Sequence, residues 1–163
     1  MKISYGMIIT LTVVLAVFAG SPAFAQDEGL EGKWVLTKRK LPDGTILRPP
    51  QVQGQFSVHR GLNQLVVFWP MSNGSSASLS SISKWEWSES EVAVTPFLMI
   101  FDDGSGKPPA YSVGGDTKRS PVTRNGGVVS YQHPTDPPFN VWDGDHLTAT
   151  FEGVFVDYWE RVR

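Results

Sequence analysis

The sequences Gly32-Lys33-Trp34 and Asp157-Tyr158-Trp159-Glu160-Arg161 lie near opposite ends of the part of the chain that is rich in strand-forming residues. An antiparallel barrel closes when its first and last strands pair, which removes the two exposed edges of the sheet. A Gly-x-Trp start and an aromatic, Arg-bearing end suit that junction. The two stretches therefore predict a β-barrel that closes between them.

The residues between these stretches favour strands over helices. After Gln26, no window of more than about ten residues places apolar residues at i, i+3, i+4 and i+7, the spacing of an amphipathic helix. Asn-Gly and Asp-Gly pairs, which suit tight hairpin turns, recur at 43–44, 73–74, 103–104, 125–126 and 143–144. Runs rich in β-branched and aromatic residues predict strands at Gly32–Lys40, Gln53–His59, Asn63–Trp69, Ala77–Trp87, Glu91–Phe101, Ala110–Val113, Gly127–His133, Asp145–Phe151 and Val154–Arg161. We predict an all-β fold, a single up-and-down antiparallel barrel of about eight strands, with a two-sheet sandwich as the alternative.

The N-terminus carries the pattern of a secretory signal peptide. Lys2 is followed by an apolar run from Met7 through Ala19 and by the small-residue segment Ser21–Ala25. The apolar run is shorter than the roughly 20 residues that span a bilayer, and no Cys follows it to carry a lipid anchor. We expect removal of residues 1–25, which leaves one domain, residues 26–163, in a bacterial periplasm or secreted, with no stable membrane insertion.

Composition and motif spacing exclude several kinds of chemistry. The formal net charge is -2 and the Lys and Arg residues are mostly scattered, so no nucleic-acid partner is expected. The chain has no Cys, which excludes disulfides, thiolate metal sites and Cys nucleophiles. His59, His133 and His146 lack the spacing of a metal motif, and no Gly-x-Ser-x-Gly elbow is present. We therefore predict no metal, no cofactor and no catalytic residues.

The two ends of the chain also resemble a known family. Leu30 to Leu36 resembles the opening strand of lipocalins and fatty-acid-binding proteins, the calycin barrels, and Phe155 to Val162 is similar to their last strand. More narrowly, the chain resembles a group of uncharacterised secreted bacterial proteins with a lipocalin-like domain at Trp34, Leu41-Pro42-Asp43-Gly44-Thr45, Pro49-Pro50 and Val154 to Arg161. The resemblance implies a lipocalin-like barrel over residues 26–163.

This resemblance implies structural roles for Gly32, Trp34 and Arg161. Trp34 would close the floor of the barrel, and Arg161 would lie across its face, an arrangement that gains roughly 0.5 to 2 kcal/mol. The chain departs from the fatty-acid-binding pattern at Asp157, because those proteins place there an Arg that holds a carboxylate. The family's ligand is therefore not carried over to this chain.

Aromatic content is the feature most open to a functional interpretation. The chain has six Trp residues, and aromatic side chains lining a cavity bind rings and apolar chains. Alternation along the predicted strands directs five side chains towards the interior, where they are candidates for lining a ligand cavity: Phe56, Val58, Trp85, Trp87 and Phe151. The alternative is that these side chains simply fill the barrel, since small barrels do both.

Three functions follow as hypotheses. The first is non-catalytic binding of a small apolar or aromatic ligand inside the barrel. The second is a protein-binding module, such as a periplasmic protease inhibitor, that uses residues 26–29 or the Pro-rich loops. The third is an isomerase or dehydratase that uses His146 or Tyr158 as acid or base.

Overall fold

A computed structural model describes residues 30–135 and 137–163 of the chain. The predicted signal peptide, residues 1–25, and the segment 26–29 lie outside the described residues. Among the described residues, no helix has the length and apolar character needed to cross a membrane. The secondary structure consists of strands and turns throughout these residues.

The described chain forms twelve strands. They are β1 Gly32–Lys40, β2 Ile46–Leu47, β3 Gln53–His59, β4 Leu62–Pro70, β5 Ser76–Trp87, β6 Glu91–Asp102, β7 Ala110–Val113, β8 Lys118–Asn125, β9 Val128–Gln132, β10 Phe139–Asp143, β11 His146–Phe151 and β12 Phe155–Val162.

Ten of the strands close into an antiparallel barrel in the order β1, β3, β4, β5, β6, β8, β9, β10, β11, β12. β12 returns to pair with β1, while β2 and β7 are side strands on β1 and β6. The predicted all-β antiparallel barrel is confirmed, with ten strands in place of about eight. Two barrel strands were missed because β8 contains Pro121 and several polar residues, and because the short β10 follows Pro137-Pro138.

The turns use the residues that tight hairpins require. Gly44 has a φ of 86°, and the Thr45 N–H donates to Asp43 Oδ1 at 2.9 Å. A residue with a Cβ rarely adopts that φ, and the Asp side chain replaces a backbone acceptor. The Asp-Gly pair thereby fixes the end of β1.

Residues that face each other across antiparallel strands lie on the same face of the sheet. Trp34 pairs with Phe56, and Leu36 pairs with Trp159; all four are buried and define the interior face. A register shift between Leu36 and Lys38 then inserts one residue into β1. As a result Arg39, opposite Asp157, lies on the interior face.

One end of the barrel, where β1 begins and β12 ends, is filled by aromatic rings. Trp34 is fully buried and stacks on Phe56 at 5.7 Å between ring centroids. Trp142 meets Trp34 edge to face at 4.7 Å, and Trp159 meets Phe56 at 5.2 Å. Such offset and T-shaped pairs add about 0.5 to 1.5 kcal/mol each beyond the area they bury. This aromatic group, which we call the filled end, is the main part of the core.

Candidate ligand-binding site at the barrel mouth

The opposite end, where β1 ends and β12 begins, retains accessible apolar side chains on its interior face. We call this end the mouth. Phe56 pairs with Leu65, Leu65 with Ser81, and Ser81 with Met99, so this row lies on the interior face. Met99 is nevertheless 45% exposed, and Phe101, two residues further along β6, is 40% exposed. Interior positions at the filled end are almost completely buried, so the barrel is packed at one end and open at the other.

The wall beside the mouth is interrupted. β8 pairs with β6 only as far as Val94, and β7 pairs with β6 from Leu98 onwards. β9 joins β8 from Val122 onwards, so β7 has one paired edge within the described part of the chain. Beyond Leu98 the neighbour of β6 on this side is therefore β7, and among the described strands the barrel wall does not continue past it.

A buried ion pair lies at the base of the mouth. Arg39 Nε donates to Asp157 Oδ1 at 2.6 Å, and Arg39 Nη2 donates to Oδ2 at 2.7 Å. Both residues are buried. Burial raises the pKa of Asp157 above its usual range, and the hydrogen bonds and charge of Arg39 oppose that shift. Two-point pairs of this kind combine charge with fixed geometry.

Aromatic rings flank the guanidinium. The Cζ atom of Arg39 is 4.0 Å from the centroid of the Phe155 ring and 5.3 Å from that of Trp69. Phe101 continues this array by stacking on Trp69 at 6.3 Å, with 26° between the planes. The accessible apolar residues and the buried pair thus belong to one continuous site, formed by Arg39, Trp69, Met99, Phe101, Phe155 and Asp157.

A second aromatic group lies on β5 and β9. Trp85 and Trp87 are 5.6 Å apart, and Trp87 meets Tyr131 edge to face at 5.1 Å. The His133 ring packs on Trp85 at 5.6 Å. Burial lowers the pKa of His133 to about 4, and burial raises the pKa of Tyr131. Both side chains are therefore uncharged at neutral pH.

The five predicted cavity residues are divided between the core and the mouth: Phe56, Val58 and Trp85 belong to one buried cluster, Trp87 packs against it, and Phe151 stands apart. Phe56 and Val58 are buried at the filled end, and Phe56 contacts Trp34 and Trp142. Trp85 and Trp87 contact each other in the second aromatic group. Phe151 lies on the rim of the mouth, where it meets Phe155 at 5.8 Å. The structure therefore does not gather the five around one cavity.

The residues of the expected barrel closure meet at the filled end. The Cζ atom of Arg161 lies 4.7 Å from the centroid of the Trp34 ring, and Arg161 Nη1 donates to the Glu31 carbonyl at 2.9 Å. Gly32 has a φ of 135°, which side chains rarely adopt. A hollow of about 280 Å³ lies beside this closure and is lined partly by Trp142 and Arg161. This hollow is open to solvent.

The groups suggested for acid or base chemistry lie on the outer wall. Tyr158 pairs with Thr148 and with Lys38, whose Nζ is 4.3 Å from the Tyr158 ring centroid. His146 pairs with Glu160 on the same outer face. Together they border a groove of about 340 Å³. No group of three or more His, Asp or Glu side chains in residues 30–135 and 137–163 is placed to hold a metal ion.

The most informative residue of the mouth, Arg39, was not identified from the sequence. It stands within Lys38-Arg39-Lys40, a basic run that reads as solvated surface. Strict alternation from Trp34 and Leu36 would also direct Arg39 outwards. Only the extra residue in β1 reverses its direction, and such bulges carry no reliable sequence signal.

Fold and site together define a closed ten-stranded antiparallel barrel with one filled end and one open, apolar mouth. No protein-family model matches the chain, and neither a curated protein nor a solved structure matches it.

Proposed function

We propose that this protein is an exported, lipocalin-like barrel that binds a small apolar or aromatic molecule at its mouth without chemical conversion. The observation that carries the proposal is the contrast between the two ends of one interior face. Trp34 is fully buried at the filled end, whereas Met99 and Phe101 remain exposed at the mouth. Apolar side chains that stay accessible to water at the open end of a barrel favour ligand binding.

The aromatic residues of the mouth support a ring or an apolar chain as the occupant. Trp69 and Phe101 stack on each other. The parts of the two rings that remain exposed can bind a planar group through dispersion and area burial. Burying apolar surface gains roughly 25 cal/mol per Å² before the costs of association. A ligand of modest size would cover the exposed parts of both rings.

Fluorescence titration with the neutral apolar dye N-phenyl-1-naphthylamine tests this function. We expect saturable, one-to-one binding, weakened at least tenfold by the double substitution Met99→Ala and Phe101→Ala. Phe68→Ala is the matched control because Phe68 neighbours Trp69, is 47% exposed and pairs with Ser78 on the outer face. Absence of saturation, or equal weakening by Phe68→Ala, would reject the proposal.

A second experiment identifies the natural occupant. Protein purified from its native host and then denatured should release a small molecule detectable by mass spectrometry. Wild-type protein should carry it, and the Met99→Ala, Phe101→Ala protein should carry much less. Equal yields from both proteins would place the molecule elsewhere.

A further inference from the structure

The buried ion pair at the base of the mouth has hydrogen-bonding capacity to spare. A guanidinium has five N–H donors, and Asp157 uses one from Nε and one from Nη2 of Arg39. Nη1 makes no hydrogen bond within the described part of the chain. It is not fully enclosed, because the described side-chain nitrogens that lack both a partner and solvent contact belong to other residues. Nη1 therefore keeps two N–H donors that no described residue uses.

The charge of Arg39 is already neutralised. Asp157 accepts from it at two points, and neither residue has a second ion-pair partner within residues 30–135 and 137–163. A ligand carboxylate at Nη1 would bring a second anion close to Asp157 in a poorly solvated place, where like charges repel strongly. An uncharged acceptor, such as a ketone, amide or hydroxyl oxygen, meets no such repulsion.

The surrounding rings define the rest of the ligand. Trp69 and Phe155 flank the guanidinium at 5.3 and 4.0 Å, and Phe101 extends the array outwards from Trp69. A molecule whose acceptor reaches Nη1 must lie against these aromatic faces. Its apolar part is therefore adjacent to the acceptor, as in an aryl ketone.

We propose that the mouth selects apolar molecules that carry an uncharged hydrogen-bond acceptor, which accepts from Arg39 Nη1, and discriminates against carboxylates. This inference rests on the proposed function and names the ligand class for the same site. Asp157 is the residue that sets the discrimination, and Arg39 is the residue that supplies the donor.

Three probes of one ring system test the inference: naphthalene, 2-acetylnaphthalene and 2-naphthoate. By displacement of N-phenyl-1-naphthylamine at pH 7, we expect 2-acetylnaphthalene to bind about five to ten times more tightly than naphthalene, the gain of one modest hydrogen bond. We expect 2-naphthoate to bind no more tightly than naphthalene. The carbonyl stretch of bound 2-acetylnaphthalene should move to lower frequency than in hexane.

Two variants separate the donor from the aromatic walls. In the double variant Arg39→Met, Asp157→Leu, the ratio of 2-acetylnaphthalene affinity to naphthalene affinity should fall to about one, whatever the change in naphthalene affinity itself. Arg39→Lys, which keeps the charge but lacks Nη1, should also lose the ketone preference and serves if the double variant does not fold.

The outcomes distinguish this inference from the function on which it rests. If naphthalene binds but 2-acetylnaphthalene binds no better, the acceptor inference is overturned and the apolar site stands. If 2-naphthoate binds most tightly, the mouth is a carboxylate site and the inference is overturned. If none of the three probes binds, the proposed function and the inference fail together.

Discussion

Arg39 and Asp157 join β1 to β12 inside the barrel through two hydrogen bonds, of 2.6 and 2.7 Å, although they stand 118 residues apart in the sequence. The pair lies in the seam where the first and last strands close the barrel. It therefore connects the closure of the fold to the base of the candidate site. Because the pair is buried, removing either charge leaves the other without a compensating partner.

The first prediction concerns this dependence. Arg39→Met should lower the free energy of unfolding by about 3 to 5 kcal/mol, because it leaves the Asp157 carboxylate buried without a partner. The double variant Arg39→Met, Asp157→Leu should be close to wild type, because well-packed apolar residues replace both charges. Urea denaturation at pH 7 measures both values. Additive losses in the double variant would show that the two residues contribute independently.

The second prediction concerns the closure at the filled end. Arg161→Met should cost about 1 to 2 kcal/mol of unfolding free energy, since it removes the stack on Trp34 and the hydrogen bond to Glu31. Arg161 Nε also lies 3.3 Å from Asp145 Oδ1. Arg163→Met is the control, because Arg163 is exposed and contacts the same Asp145 carboxylate. Thermal and urea unfolding should show no measurable change for the control. Equal losses for the two variants would assign the effect to Asp145 and not to the indole.

The third prediction separates the two ends of the barrel. Phe56→Ala should cost about 3 to 5 kcal/mol, as expected for a large ring removed from a packed core. Phe101→Ala should cost less, about 1 to 2 kcal/mol, because Phe101 is already 40% exposed. Urea denaturation followed by circular dichroism gives both values. A large loss for Phe101→Ala would mean that the mouth is part of the core.

The fourth prediction concerns pH and His133. The ring titrates near 6.5 when unfolded, and burial lowers its pKa to about 4 in the folded chain. Between these values the unfolded chain binds more protons, so this contribution to stability is present above pH 6.5 and is lost as the pH falls to 4. The loss is at most about 3 kcal/mol, and less because the ring is partly exposed.

His133→Phe should flatten this decline between pH 7 and 4.5 in urea titrations. His59→Gln is the control, since the His59 side chain is 78% exposed and, among the described residues, its single ionic neighbour is Glu31 at 3.6 Å. An unchanged slope in His133→Phe would assign the decline to other groups.

The fifth prediction concerns the space beneath Trp159. A Cβ on Gly54 would lie 2.7 Å from Trp159 Cη2 and 3.0 Å from Leu36 Cβ. Gly54→Ala should therefore cost about 1 to 3 kcal/mol through overpacking. Gly115→Ala, whose Cβ would approach only Pro96 at 3.3 Å, should cost clearly less. Differential scanning calorimetry compares the two, and equal losses would mean that Gly54 has no special packing role.

Much of the fold could be predicted from local patterns. The predicted bounds of β1, β3 and β7 agree with the structure, and each of the other predicted strands differs from it by one residue at one end or at both. Alternation and turn pairs are properties of neighbouring residues, so they are visible in the sequence. β8 escaped notice because its Pro121 and basic residues resemble a loop, and only pairing with β6 and β9 makes it a strand.

The candidate site was less predictable. Trp85 and Trp87 do contact each other on the interior face, as their alternation predicts. Which interior residues are covered, however, depends on how far β5 and β6 extend beyond their neighbours. That length difference leaves Met99 and Phe101 accessible, whereas Phe56 is buried. The relative lengths of paired strands cannot be predicted from a local sequence pattern.

The sequence by itself determined the class of the fold and the seam at which it closes, because strand alternation, turn chemistry and the aromatic ends act over a few residues. Tertiary structure alone decided the side of the barrel on which Arg39 lies, its pairing with Asp157 and the openness of one end. Those features depend on a one-residue bulge and on contacts between residues more than 100 positions apart. A single inserted residue reverses the direction of every later side chain in a strand, and here that reversal places a charge inside the barrel.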